Sequence, residues 1–251
     1  MNPMLETTEM IDVGNGPHTF VCLHGWCCRT GDFAFQAEGL SDIGRIFVLD
    51  WQHRLASRGE NCDCQAICDD IAQAITDAGI ERPVLCGHSL GGFLAAQLAY
   101  QQTLPLAGLL ILDSALPLPP KIRELWQQAA RTLESQPWDE VFPGIESPFF
   151  TDDEAGALQD SIIRGMKQQS HPLAIDLLDE ICTYPWADEL ATINVPTHLV
   201  ASEYGWLNLE GLQAFVPHAT AERIVDSGHF ITVFHGDQVN TIMREFALHS
   251  T

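Results

Sequence analysis

Basic residues are scarce in this chain, and long apolar runs are missing. Lysine and arginine number 12 against 34 aspartates and glutamates, a formal charge of −22. A field of that sign repels nucleic acid, anionic membranes and polyanionic substrates. The partner this balance favours is a neutral or weakly polar small molecule, with no nucleic acid and no membrane. No stretch reaches the roughly 18 to 20 continuous apolar residues of a membrane span. Met1-Asn2-Pro3-Met4-Leu5-Glu6 has neither the basic nor the apolar region of a secretion signal, so the expected setting is the cytoplasm. Metal-ligand patterns are incomplete too. Of eight cysteines, Cys62, Cys64 and Cys68 have ligand-like spacing, but no second C-x-x-C or His-x-x-x-His cluster completes a tetrahedral site. Cys64 and Cys68 also fit one face of a helix. Reduced, structural cysteines are expected, with neither metal nor cofactor.

What is present is an alternation of short apolar runs with helical patterns over 251 residues, enough for one large α/β domain or one domain with an insertion. Strands are expected at Thr19 to Leu23, Ile46 to Leu49, Pro83 to Cys86, Gly108 to Leu112, Thr197 to Ala201 and Glu222 to Val225, with Glu6 to Val13 as an antiparallel edge. Helices are expected at Gly31 to Leu40, Cys64 to Gly79, Gly91 to Tyr100, Leu209 to Val216 and Asp237 to Leu248. This order predicts a mostly parallel sheet with helices on both faces. Residues 116–190 interrupt it with four helix-like stretches and no convincing strand. The expected organisation is a core of residues 1–115 and 191–251 with a helical cap, 116–190, over the C-terminal ends of the strands.

Chemistry concentrates at Gly87-His88-Ser89-Leu90-Gly91-Gly92, between the run Pro83 to Cys86 and a helix. A serine with glycines two residues either side suits a sharp strand-to-helix turn that pushes the hydroxyl above the sheet, which makes Ser89 the candidate nucleophile. His24-Gly25-Trp26 follows another apolar run, and Gly228-His229-Phe230 lies near the C-terminus. With Asp50 and the position of the cap, these residues resemble the α/β-hydrolase fold family across essentially the whole chain. The resemblance implies that Ser89 attacks, that His229 serves as general base and then acid, and that the N–H groups of Trp26 and Leu90 form an oxyanion hole. His24, Cys27, His88, Trp138 and Trp186 are expected to border substrate. Trp126, Phe142, Phe149 and Phe150 are further cap aromatics available to an apolar pocket.

The acid departs from the common pattern. Family members usually carry it in a Gly-x-x-Asp turn that here reads Ser202-Glu203-Tyr204-Gly205, with Gly205 at the aspartate position. Asp113, at the end of an earlier strand, is the first candidate, as in haloalkane dehalogenases and certain lactonases; Glu203 is the reserve and Asp226 a third. A second departure is His53-Arg54-Leu55-Ala56-Ser57, which lacks the family's two glycines there. It is expected to follow a different backbone course, from which Trp51, His53 or Arg54 reaches the pocket. The leading reading is a serine hydrolase of a small, largely apolar ester or lactone, acting as a monomer or homodimer. The acid on the earlier strand also resembles cofactor-independent 3-hydroxy-4-oxoquinoline 2,4-dioxygenases, in which a His-Asp pair deprotonates the substrate. A third reading, a binding module on a retired hydrolase fold, rests on Gly205.

Overall fold

A computed structural model describes residues 10–58, 63–146, 149–184, 190–205 and 207–249. Seven strands form one sheet: β1 (Met10–Val13), β2 (His18–Leu23), β3 (Gly44–Leu49), β4 (Val84–His88), β5 (Gly108–Leu112), β6 (Thr197–Ser202) and β7 (Thr220–Ile224). Their spatial order is β1-β3-β2-β4-β5-β6-β7, parallel except for β1, which pairs antiparallel with β3. The chain steps outward from β2 to β3, then returns to place β4 on the other side of β2. The crevice beyond the C-terminal ends of β2 and β4 is therefore the switch point at which open parallel sheets bind ligands.

The central strands are apolar on both faces because both are covered. One face packs on α1 (Ala34–Leu40) and α11 (Gly236–His249) through Leu40, Val239 and Met243. The other packs on α3 (Cys64–Asp77) and α4 (Leu90–Gln101) through Ile71, Leu94 and their neighbours. Helix α3 starts where the Asp63 carboxylate accepts the Gln65 and Ala66 N–H groups, and it buries Cys64, Ile67, Cys68, Ile71 and Ile75 along one stripe. The ligand-like cysteine spacing is thus a packing stripe at Cys64 and Cys68, while Cys62 lies outside the described residues. The seven cysteines among the described residues are buried free thiols.

Between β5 and β6 the described residues form α5 (Pro120–Leu133), α6 (Trp138–Glu146), α7 (Ala157–Met166) and α8 (His171–Thr183), with a 3-10 turn at Asp152–Glu154 and no strand. The remaining helices are α2 (Trp51–Arg58), α9 (Leu209–Phe215) and α10 (Ile231–Phe234). Helix α2 replaces the altered loop course expected after Asp50. The Asp50 carboxylate accepts the His53 N–H at 2.8 Å, satisfying a first-turn donor, and the segment lacks the glycines that would keep it open.

Candidate active site

Ser89 sits between β4 and α4 with φ 55° and ψ −122°, a conformation that costs a non-glycine residue about 1–3 kcal/mol. The turn is held from several sides. The Ser89 N–H donates to the Leu112 carbonyl at 3.0 Å, and its own carbonyl accepts from Gly92 N at 3.0 Å. Helix α4 lies so tightly on β2 that a Cβ at Gly91 would collide with the Leu23 carbonyl. Leu90 is the first residue of α4, so its N–H has no acceptor one turn earlier in the helix. Gly25 lies against the serine, where a Cβ would stand 3.3 Å from the Ser89 hydroxyl.

His229 follows β7 and is almost fully buried. Its Nδ1 is 2.7 Å from Asp113 Oδ2. An ionised carboxylate can only accept, so Nδ1 donates and the neutral ring presents its basic lone pair at Nε2. Asp113 follows β5 at φ 42°; its N–H donates to the Val200 carbonyl, and its Oδ1 accepts the Ser202 N–H at 3.1 Å. Burial works to raise the Asp113 pKa, but the His229 hydrogen bond and charge, with the Ser202 N–H, outweigh it and hold the carboxyl below the ordinary aspartate value. Gly205 leaves the room this carboxylate occupies: a Cβ at 205 would fall on the Asp113 carboxylate and the Ser202 hydroxyl. Glu203 and Asp226 are both exposed, and the Glu203 carboxylate accepts the Asp226 N–H at 2.6 Å.

Beneath this pair, His88 is buried with its ring 4.6 Å from that of His229, and its Nε2 donates to the His229 carbonyl at 2.8 Å. Burial, reinforced by the His229 charge, lowers its pKa to about 3. His88 is a neutral prop under the histidine loop.

The His24–Cys28 loop is fixed from α2. Gln52 Nε2 donates to the Gly25 carbonyl at 2.6 Å, and its Oε1 accepts the Cys27 N–H at 3.1 Å. Trp51 stacks on His24 and donates to its carbonyl, while His24 Nε2 lies 3.4 Å from Asp50. Trp51 therefore supports the loop from behind, His53 gives its N–H to Asp50, and Arg54 pairs with Asp70. Gln52 and Trp51 are thus the residues of this segment that hydrogen-bond to the loop's backbone.

The helical segment between β5 and β6 touches both working loops. Trp26 Nε1 donates to the Ala174 carbonyl of α8 at 2.9 Å. The His229 N–H donates to the Phe149 carbonyl at 2.8 Å, the Phe149 ring stacks on the imidazole at 5.5 Å, and the buried Glu154 carboxylate accepts the Gly228 N–H at 2.9 Å.

Two cavities meet at Ser89. One, with about 20 Å³ of free space, is lined by Trp26, Cys28, Trp126, Phe149, His229 and Phe230 together with aliphatic side chains; the other, with about 10 Å³, is lined by Leu90, Phe93, Ser114, Leu118, Trp126 and Ile181. Among the described residues neither lining contains lysine, arginine, aspartate or glutamate. Cys28 is on the wall, whereas Cys27, at φ 54°, is held behind it by Gln52. Burial raises the Cys28 thiol well above its ordinary value, and nearby Asp32 adds to the effect, so the thiol stays protonated. Trp138 stands behind Trp26, ring to ring at 5.8 Å, and Phe142 is packed in the core. Trp186 lies outside the described residues.

Residues 20–242 match the Alpha/beta hydrolase family. The chain belongs to that family. Over 97 residues, 39% of its length, this alpha/beta hydrolase is 37% identical to the pimeloyl-[acyl-carrier protein] methyl ester esterase of Nitrosomonas europaea, and the match spans only 35% of that esterase. Among solved structures, MenH from S. aureus superposes with a TM-score of 0.81 at 19% identity, covering 97% of this chain and 99% of the other. The enol-lactonase from Burkholderia xenovorans LB400 superposes with a TM-score of 0.80 at 15% identity, covering 94% and 95%. At these identities the likeness is one of fold. No helix among the described residues of this alpha/beta hydrolase is long and apolar enough to cross a membrane.

The structure also brings forward residues that the sequence did not single out. Gln52 and Glu154 each hold a working loop through backbone hydrogen bonds. Glu154 carries one signal: an acid three residues after Thr151, the spacing of a reciprocal turn cap, and its Oε2 accepts the Thr151 N–H.

Proposed function

We propose that the protein is a serine hydrolase of an uncharged, largely apolar carboxylic ester or lactone. Ser89 Oγ adds to the substrate carbonyl as His229 Nε2 takes its proton. The N–H groups of Trp26 and Leu90 receive the negative oxygen, and His229 returns the proton to the departing alkoxide. Water then adds to the acyl-enzyme by the same proton route, releasing the acid and regenerating the serine. Asp113 fixes the tautomer and stabilises the imidazolium. The observation that carries this reading is the 2.7 Å contact between His229 Nδ1 and Asp113, with His229 and Ser89 on one cavity wall. It also weighs against a retired site, which would leave His229 without an acid. The esterase name of the Nitrosomonas europaea relative supports the same chemistry.

A fluorophosphonate probe tests the proposal. Labelling that disappears in Ser89→Ala, together with ester turnover that falls by orders of magnitude, is the expected result. An unlabelled protein that consumes oxygen with a 3-hydroxy-4-oxoquinoline would overturn it in favour of the dioxygenase, which needs only the His229–Asp113 pair.

A further inference from the structure

Resting on the hydrolase reading, we infer that Gln52 is a positioning residue for the oxyanion donor. Its side-chain amide holds the peptide groups on both sides of Trp26 in the orientation that leaves the Trp26 N–H for the substrate oxygen. The loop turns back on itself at Gly25–Cys28: the Cys28 N–H donates to the Gly25 carbonyl at 3.2 Å, and Cys27, the third residue of the turn, has φ 54°. Positive φ at that place favours glycine. A cysteine there is relieved by a half-turn of the Trp26–Cys27 peptide, which returns its φ to the negative side.

Gln52 opposes that flip. It is almost wholly buried, and its Oε1 accepts the Cys27 N–H, which belongs to the Trp26–Cys27 peptide, at 3.1 Å. Its Nε2 donates at 2.6 Å to the Gly25 carbonyl, which belongs to the preceding peptide. The C=O and N–H of a trans peptide point in opposite directions, so a carbonyl drawn toward Gln52 sends the Trp26 N–H away from it. Turned over, the amide would set oxygen against oxygen and N–H against N–H, so one side chain fixes the orientation of both peptides. Among the described residues the Trp26 N–H has no acceptor of its own, while the indole is tied to the Ala174 carbonyl and Gly25 lies against Ser89.

Both tetrahedral intermediates of ester hydrolysis carry the oxyanion, so a misplaced donor slows acylation and deacylation without weakening substrate binding. With p-nitrophenyl acetate, Gln52→Ala is expected to lower kcat at least about tenfold, within the roughly 10²- to 10³-fold lost when such a donor is removed outright, and to leave KM nearly unchanged. Gln52→Met keeps the bulk, loses both hydrogen bonds and should do the same; it serves if the alanine variant fails to fold. Inhibition by phenyl trifluoromethyl ketone, whose adduct with Ser89 bears the oxyanion, should weaken in parallel with kcat, which a merely structural role would not produce. Adding Cys27→Gly should recover part of the lost turnover, because glycine keeps φ 54° unaided. Folded Gln52 variants with unchanged kcat, a loss carried by KM alone, or a double variant no faster than Gln52→Ala each overturn the inference. The hydrolase reading survives such a result as long as Ser89 of the unmodified protein takes the fluorophosphonate. If Ser89 is unlabelled, both fall.

Discussion

At position 205 a side chain would occupy the space of the Asp113 carboxylate, so the glycine there belongs to the same arrangement as the aspartate after β5. Asp113→Asn is expected to lower kcat by about 10⁴-fold, as loss of the orienting acid does in a serine triad, while Glu203→Gln leaves it nearly unchanged. Gly205→Ala should reduce kcat strongly without touching any reacting group, because the added methyl displaces the acid from His229. Steady-state kinetics on a p-nitrophenyl ester, with thermal melts to confirm folding, check all three. That Ser89, His229 and Asp113 would come together was legible because each stands in a local pattern: a glycine-flanked turn, a Gly-His-Phe near the C-terminus, an acid ending an apolar run. Gly205 reads in one dimension as a missing acid; its meaning as vacated space needs Asp113 beside it. Gln52 was not legible, because its hold on Gly25 and Cys27 depends on α2 turning that side chain back toward a loop 25 residues earlier.

Among elements, the strands and the amphipathic helices followed their periodicities, since two-sided burial gives unbroken apolar runs and one-sided burial gives stripes. Helix α2 was not among the expected helices, because absent glycines signalled only a changed backbone course, whereas the Asp50 carboxylate starts a helix. The 3-10 turn at Asp152–Glu154 lacks an apolar period, so its role emerges only through contacts. Glu154→Ala is expected to leave the buried Gly228 N–H and the part-buried Thr151 N–H without their acceptor, at about 1–3 kcal/mol for the buried donor. It should lower kcat more than it changes KM, by loosening the loop that carries His229. Glu154→Gln keeps an oxygen for Gly228 and should fall between the two. Denaturant melts and the separate kinetic constants measure both effects.

For the whole molecule, His88 ties stability to pH. Its folded pKa of about 3 lies below the ordinary histidine value of 6.5, so above pH 6.5 both folded and unfolded chains hold the ring neutral and no penalty applies. Below 6.5 the unfolded chain takes up a proton that the folded one refuses, and stability declines as the pH falls toward 3. Asp113 has the depressed carboxyl pKa, so its contribution is intact down to the ordinary aspartate value and is lost only below it. Urea midpoints between pH 7 and pH 4 should therefore fall less steeply in His88→Gln than in the unmodified protein, and equal slopes would show that the ring takes up its proton while folded. The crowding of position 205 against the Asp113 carboxylate also couples the two positions: a side chain at 205 and the carboxylate at 113 compete for one volume. Asp113→Gly combined with Gly205→Asp should therefore retain more turnover than either replacement alone.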